Sequence, residues 1–394
     1  MTISHPSNVK NVLASGVDSL VISMNVSWKD TSIFAMLDEI KNKAIERGDD
    51  YPGEINHIKP DKAWPFNVKP YGTKGYSWIL TGCDFAFTIA NSQEPGSRPN
   101  AMATIRSETL WRLGPEEATN IALGLITANG GHRIEAKLSR VDLCADFIMP
   151  EKLWSQSLMA RAVTRATDFS PYYRHMRLTG IRIGKGTISA RLYDKPLEIK
   201  QQSGKKWMFD IWGIEEPPEG TKIIRIEFQL RREVLKELGL KGVADLLPKI
   251  DGAWAYCTKK WLKFQDRPDL HHTQQSTLKW YQEIQNGFKG VQGAEPLIRE
   301  KAVSMDKTRL MQQANGLIKS IHAIDQEEKR EDREKPVSID DCLDSYKNEL
   351  RKHPESPSEI KANVTKKRAR YHRQEPRIVE GQTLYRLRRN EKVC

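Results

Sequence analysis

Hydrophobic and polar positions along the chain fall into two alternating kinds of segment, and the order of segments recurs. "VDSLVISMNVSW", Val17 to Trp28, alternates and is rich in β-branched residues, which predicts a strand. "SIFAMLDEIKNKAIERG" has apolar residues at helical spacing and stops at Gly48, a residue suited to a helix C-cap. After a loop-rich stretch with several prolines, "GYSWILTG", "DFAFTIA" and "NAMATIRSETLW" predict three strands separated by Gly, Asn and Pro. "GPEEATNIALGLITANGG" predicts a helix, with Pro115 in its first turn, acids after it and glycines at its end. "RIEAKLSRVDLCADF" returns to strand.

A second round begins there. "EKLWSQSLMARAVTRA" predicts a helix, "SPYYRHMR" a loop, and "LTGIRIGKGTISARLYDK" a hairpin that turns near Gly184 and Gly186. "TKIIRIEFQLRRE" predicts a strand running into the helix "EVLKELGL". This order predicts an α+β fold: a largely antiparallel β-sheet domain with helices packed on one face, in two similar halves, although no literal repeat is visible.

Beyond Lys241 the pattern turns helical. "VADLLPKIDGAWAYCTKKWLKF" and "STLKWYQEIQNGF" space their aromatics for packing onto the sheet, and the glycine-rich "GFKGVQGAEP" reads as a joint. A helix is expected from Pro296 to Ile324, then a charged linker, then a helix at "SIDDCLDSYKNELRKH" with a Ser-x-x-Asp start. The expected boundaries are an N-terminal tail over 1–16, the sheet domain over 17–288, a helical C-terminal region over 289–360 and a basic tail over 361–394.

Charge narrows the class of partner. The net charge is +12, and the segment from Lys361 onward carries +8 of it. An acidic partner follows, nucleic acid first among them. Lys366, Lys367, Arg368 and Arg370 read either as an arm that grips a DNA backbone or as a solvated tail. The five cysteines show no C-x-x-C spacing, so neither a zinc site nor a disulfide framework is suggested. The start lacks a signal-peptide pattern, and the longest apolar run, "IALGLITA", is far short of the roughly 20 residues that span a bilayer. A cytoplasmic protein without a membrane partner is expected.

Three strand segments carry the chemistry. In "SRVDLCADF", Arg140, Asp142, Cys144 and Asp146 face one way; in "IIRIEFQLRRE", Arg225, Glu227, Gln229 and Arg231 do; in "SARLYDK", Arg191, Tyr193 and Lys195 do. An ordinary wet sheet face alternates in the same way. Here each polar series opens with Arg and puts a reactive or ligating group two residues later. Carboxylates of this kind suit Mg2+ or Mn2+. Arg and Lys suit phosphate oxygens. A tyrosine beside those cations is expected to have a lowered pKa and to attack a phosphodiester, leaving a covalent phosphotyrosine.

At these residues the chain resembles the replication initiation factors of rolling-circle plasmids, the related relaxases of conjugative elements and the replication proteins of filamentous phages. The motifs are "RVDLCADF", "GIRIGKGTISARLYDKPLE" and "RIEFQLRRE", with weaker likeness at "GVDSLVISM" and "ETLWRLGPEEA", and they span Val17 to Phe288. The resemblance implies an enzyme that nicks and rejoins one DNA strand at an origin, through a single-stranded or hairpin nick site. The 5′ phosphate stays on a tyrosine, and the free 3′-OH primes synthesis. It also implies a host helicase and DNA polymerase as partners, and a homodimer. By its place in the motif Tyr193 is the implied nucleophile. Asp142 and Glu227 are the implied metal ligands, with Asp146 behind them. Arg191, Lys195 and Arg225 would hold phosphates, and Arg231 belongs to the same DNA-binding set. Arg140 either joins that set or orders a carboxylate, and Glu198 is either a base or a solvated side chain.

Other readings of these residues are open. Tyr172 and Tyr173 are rival nucleophiles, set in an expected loop without nearby carboxylates. His271 and His272 are adjacent, so they cannot face one site, and they read as surface residues. The chain could instead be a non-catalytic origin-binding replication or partition protein, the same sheet face then being only a phosphate-contacting surface. A tyrosine recombinase is disfavoured, because the "RLYDK" alternation is that of a strand.

Overall fold

A computed structural model describes residues 12–59, 62–266, 275–288, 294–299, 307–329, 336–372, 378–379 and 382–383. The chain divides into two compact units between Glu300 and Lys301.

The first half of the sheet unit runs β1 (Val12–Trp28), α1 (Ser32–Arg47), β2 (Tyr51–Asn56), β3 (Ala63–Val68), β4 (Trp78–Thr81), β5 (Phe85–Ile89), β6 (Ala101–Ile105) and α2 (Ser107–Ala128). The second half runs β7 (Gly131–Pro150), β8 (Ala162–Thr164), β9 (Phe169–Arg174), β10 (Arg177–Ile183), β11 (Ile188–Asp194), α3 (Lys195–Glu198), α4 (Trp207–Trp212), β12 (Thr221–Arg231), α5 (Arg232–Glu237), α6 (Val243–Ala255), β13 (Leu262–Phe264) and α7 (Lys279–Asn286).

Eleven of these strands form one antiparallel sheet in the order β2-β3-β4-β5-β6-β1-β7-β12-β11-β10-β9, while β8 and β13 pair separately. Each half places its first strand at the centre of the sheet and its last strand within that sheet beside it, then steps outward in reverse chain order. The two similar halves expected from element order are therefore visible as topology. The alternation does the sorting: Val141, Leu143, Ala145, Phe147, Ile224, Ile226, Phe228 and Leu230 are buried in the main core with Leu125 of α2 and Leu246, Ile250 and Trp254 of α6. Phe228 meets Trp254 edge-on, 5.5 Å between ring centroids. The opposite face at the β7–β12 centre is closed only at one end, where Ile199, Met208, Trp212 and Ile223 form a second, small core.

Several expectations change. The proline-bearing stretch after Gly48 contains the hairpin β2–β3; Pro65 is tolerated because β3 pairs with β4 only at Asn67 and Val68. Helix α2 starts at Ser107 and continues through a break at Gly114, whose φ is +80°, so "SETLW" is helical rather than strand. The helix expected after Pro150 is two 3-10 turns, Glu151–Leu153 and Gln156–Arg161, ahead of β8. There Trp154 is buried and its indole N–H donates to the Leu178 carbonyl (2.9 Å), a tertiary anchor that helical spacing does not reveal. "SPYYRHMR" is strand β9 and its turn rather than a loop.

In the second unit, α8 (Lys307–Lys329) and α9 (Ile339–Lys352) are joined by a contact between His322 Nδ1 and Ser345 Oγ (2.8 Å), and α10 (Pro357–His372) follows. Residues 296–299, where the long helix is expected to start, have no regular structure, and the helix is described over Lys307–Lys329. The Ser-x-x-Asp start of α9 is a capping box between Ser338 and Asp341. Among the described residues no helix is long and apolar enough to cross a membrane. His271, His272 and the glycine joint at 289–293 lie outside the described residues.

Candidate active site

Strands β7, β12 and β11 are neighbours, so the three motifs do share one sheet. Register sets their side chains in rows. Arg191 pairs with Glu227 and Glu227 with Cys144; Tyr193 pairs with Arg225 and Arg225 with Asp146. Paired residues point to the same face, and Asp142 is the diagonal neighbour of Glu227.

The open end of this face holds a tyrosine, two carboxylates and two arginines. The Tyr193 hydroxyl donates to Glu227 Oε2 at 3.1 Å, and Arg191 donates to the other oxygen of the same carboxylate. Arg191 also lies 3.5 Å from Asp142 Oδ2, and Arg140 Nε donates to Asp142 Oδ1 at 2.7 Å. Glu227 and Asp142 are buried, while Arg191 and Arg140 reach solvent. Burial, together with the charge of Asp18 and Asp142, pushes the Glu227 carboxyl up to about 7 despite Arg191. Tyr193 departs from expectation. Burial, then the charge of Glu227, raises its pKa well above the usual phenol value, so the nearby cations do not make it a free phenolate.

The other end of the face is a sealed ionic cluster. Arg225 is completely buried; it donates to Asp146 at 2.6 and 2.7 Å and to Asp18 at 2.6 Å. The Trp212 indole N–H takes a further position on Asp146 at 2.9 Å, and the Ser107 hydroxyl donates to Asp18 at 2.7 Å. Burial disfavours a charged Asp18, but Arg225, Lys205 and Lys195 outweigh it and hold the carboxyl far below the ordinary range. Arg225 thus has no side open to a phosphate, and Asp146 none open to an ion. They tie β12 and β7 to β1 and to α4.

Lys195 is not part of the strand. Asp194 ends β11 by accepting the Leu197 N–H at 3.0 Å, and Pro196 sits in the first turn of α3. Lys195 is buried, pairs with Glu198 at 2.5 Å and lies 5.5 Å from the Tyr193 ring centroid. Burial and then Arg225 lower its pKa. Arg231 is exposed and pairs in register with Arg140, extending a basic rim along the sheet. Lys366, Lys367, Arg368 and Arg370 fall in α10, and their side chains lie outside the described residues.

A cleft of ≈ 420 Å³ opens beside Tyr193 and Arg191 and is also lined by Tyr172, Tyr173, Arg174 and Glu198. The rival tyrosines therefore share a cavity with the implied nucleophile and with a carboxylate. Sequence patterning missed Asp18, Trp212 and the cap at Asp194. Only the last had a signal, an Asp followed two residues later by Pro and four residues later by Glu.

The donor set does not fit the expected Mg2+ or Mn2+. Among the described residues no group of three or more His, Cys, Asp or Glu is placed to hold a metal ion. Asp142 and Glu227 are already engaged by Arg140 and Arg191, so an ion would have to displace a guanidinium from each. The cationic part of this site is supplied by arginine.

No family model matches the sequence, and no curated protein matches it. Among solved structures, the chain is similar to a rolling circle replication initiator protein from Geobacillus stearothermophilus, with 12% sequence identity and a TM-score of 0.40, over 72% of this chain and 98% of that one.

Proposed function

We propose that the protein is a DNA strand-nicking and rejoining enzyme that starts rolling-circle replication or conjugative transfer from an origin, with Tyr193 as nucleophile. The observation that carries this reading is the Tyr193 hydroxyl donating to the Glu227 carboxylate, with Arg191 on the far side of that carboxylate and an open cleft in front. A half-buried phenol with a raised pKa needs a base, and a carboxyl at about 7 is poised to be one near neutral pH. In the step proposed, the Tyr193 oxygen bonds to phosphorus as its proton passes to Glu227. The P–O3′ bond breaks, and the 3′ oxygen leaves as the alkoxide and takes a proton from water. Arg191 and Arg140 stabilise charge on the non-bridging oxygens. The phosphotyrosine keeps the energy of the broken bond, so a 3′-OH can later reverse the step. The chain's net charge of +12 suits the polyanionic substrate. A host helicase, a polymerase and a second copy of the chain are the partners this role calls for.

The test is a denaturing gel of the full chain with end-labelled single-stranded origin DNA. A covalent band lost in Tyr193→Phe is expected. A band that persists there and disappears in Tyr172→Phe or Tyr173→Phe moves the nucleophile across the cleft. No band on any origin fragment leaves a DNA-binding initiator without chemistry.

A further inference from the structure

The β9–β10 hairpin forms one outer edge of the sheet and lies next to the proposed nucleophile. Across β9, β10 and β11 the register aligns Tyr172, Gly180 and Tyr193 in a single row. Their side chains therefore share a face, and the middle position carries no side chain. A Cβ built on Gly180 would lie 3.4 Å from Tyr193 Cβ and 3.8 Å from Cδ2 of the Tyr172 ring. The missing side chain leaves the cleft open over Gly180, beside the Tyr172 ring, between two strand backbones that lie two spacings apart, or roughly 9–10 Å. Tyr172 is 49% exposed and Met176 at the hairpin tip is 94% exposed.

Two further features set this hairpin apart from an ordinary edge. Arg174 pairs with Arg177, so His175 and Met176 form a two-residue loop, with φ of +47° and +63°. Such loops normally carry Asn or Gly, and non-glycine residues held in this region are strained. Between Phe169 and Ile183 there are three arginines, Arg174, Arg177 and Arg182, and no acid. Arg174 stands two residues after Tyr172, hence on the same face, and its guanidinium reaches Gln201 at 2.6 Å beside the cleft.

An exposed aromatic face, an open cleft beside it and an acid-free run of arginines match single-stranded DNA. The ring stacks a base, and the guanidiniums follow the backbone. We infer that the β9–β10 hairpin is a single-strand clamp: an unpaired base lies over Gly180 and stacks on Tyr172, while Arg174 and Arg177 hold the phosphates beside it. A duplex cannot use the site, because its bases are already stacked on each other. This inference rests on the DNA-strand reading of the same cleft.

Fluorescence anisotropy of the full chain with a short labelled oligothymidylate tests the clamp without any cleavage. Tyr172→Ala is expected to weaken binding roughly 5- to 150-fold, the range for one lost base stack, with Tyr172→Phe binding like the wild type. Gly180→Val, which fills the cleft there, is expected to weaken binding as well, with a circular dichroism melt confirming the fold. Arg174→Ala should lower the slope of log affinity against log salt by about 0.7. Tyr172→Ala binding as tightly as wild type, or Tyr172→Phe losing as much as Tyr172→Ala, overturns the clamp. Tyr193→Phe keeps its ring and should retain oligothymidylate binding, so the two readings separate. A covalent adduct with normal binding by Tyr172→Ala sinks the clamp alone. Weakened binding by that variant with no adduct on any origin sinks only the nicking reading.

Discussion

The Tyr193 hydroxyl is 3.1 Å from Glu227 Oε2, and both groups have raised pKa values. Acid and acceptor are therefore matched in an unusual way. The phenol is held neutral, and the carboxylate that accepts its hydrogen bond is only part-ionised near neutral pH. If Glu227 is the base, adduct formation is expected to rise with pH and level off above about 7. Glu227→Gln should lower the rate by about 10²–10⁴-fold and remove that inflection. Initial rates of covalent-adduct formation between pH 5.5 and 9 are the measurement. A wild-type profile that is flat through pH 7 excludes Glu227 as the base.

The same carboxyl affects stability with the opposite preference. Glu227 has a folded pKa of about 7 against an ordinary value of 4.5, so the folded state holds the proton more tightly than the unfolded chain. Its contribution is most favourable below pH 4.5 and is lost as pH rises to 7, a difference of about 3 kcal/mol. Glutamine does not titrate. Glu227→Gln should therefore melt close to wild type at pH 5 and progressively higher than wild type at pH 8. Scanning calorimetry at the two values decides it. A difference in Tm that does not grow with pH removes the claim that a functional carboxyl is held at a cost to the fold.

Two arginines with the same place in their motifs, Arg191 and Arg225, have opposite surroundings. Arg225 is sealed between Asp146 and Asp18, whereas Arg191 is 42% exposed on the cleft. Removing Arg225 strands two buried carboxylates, so Arg225→Ala should cost about 3–5 kcal/mol. Arg191→Ala should cost less, because Asp142 keeps Arg140 and Glu227 can take a proton, yet it should lose adduct formation. Urea denaturation of the two variants, followed by tryptophan fluorescence, gives the comparison. Equal losses of stability would mean that Arg191 is framework too.

That pair also marks what strand patterning could reveal. Alternation identifies which residues share a face, and it correctly grouped Asp142, Glu227, Arg191 and Tyr193, because period two is a local property of the backbone. It cannot tell which part of a face is later covered. Met208 and Trp212 come from a separate segment and bury Arg225 and Asp146 by long-range packing. Alternation puts Lys195 on the strand because it carries no information about caps, but Asp194 turns the chain first. The loop expected at "SPYYRHMR" is instead strand β9 at the sheet edge, where a proline such as Pro171 is allowed. The direction of the Tyr193 shift failed for a related reason. Neighbouring cations can be read from a motif, but the burial that outweighs them cannot.

The arginine-held carboxylates make a prediction about ions that does not depend on activity. Asp142 is bonded to Arg140, and Glu227 to Arg191 and Tyr193. A divalent cation binding the free protein would have to break those contacts, each charge-assisted, and would meet two guanidiniums at close range. Millimolar Mn2+ is therefore expected to leave the Tm of the DNA-free protein unchanged, since a ligand stabilises only by binding the folded state. A rise in Tm with Mn2+ that Asp142→Asn abolishes would show that the arginines yield the carboxylates to an ion. Running the same titration on Arg140→Ala sharpens the test. With its guanidinium gone, Asp142 keeps the longer, 3.5 Å contact to Arg191 and its hydrogen bond with Glu227, and any latent affinity for the ion should appear there first.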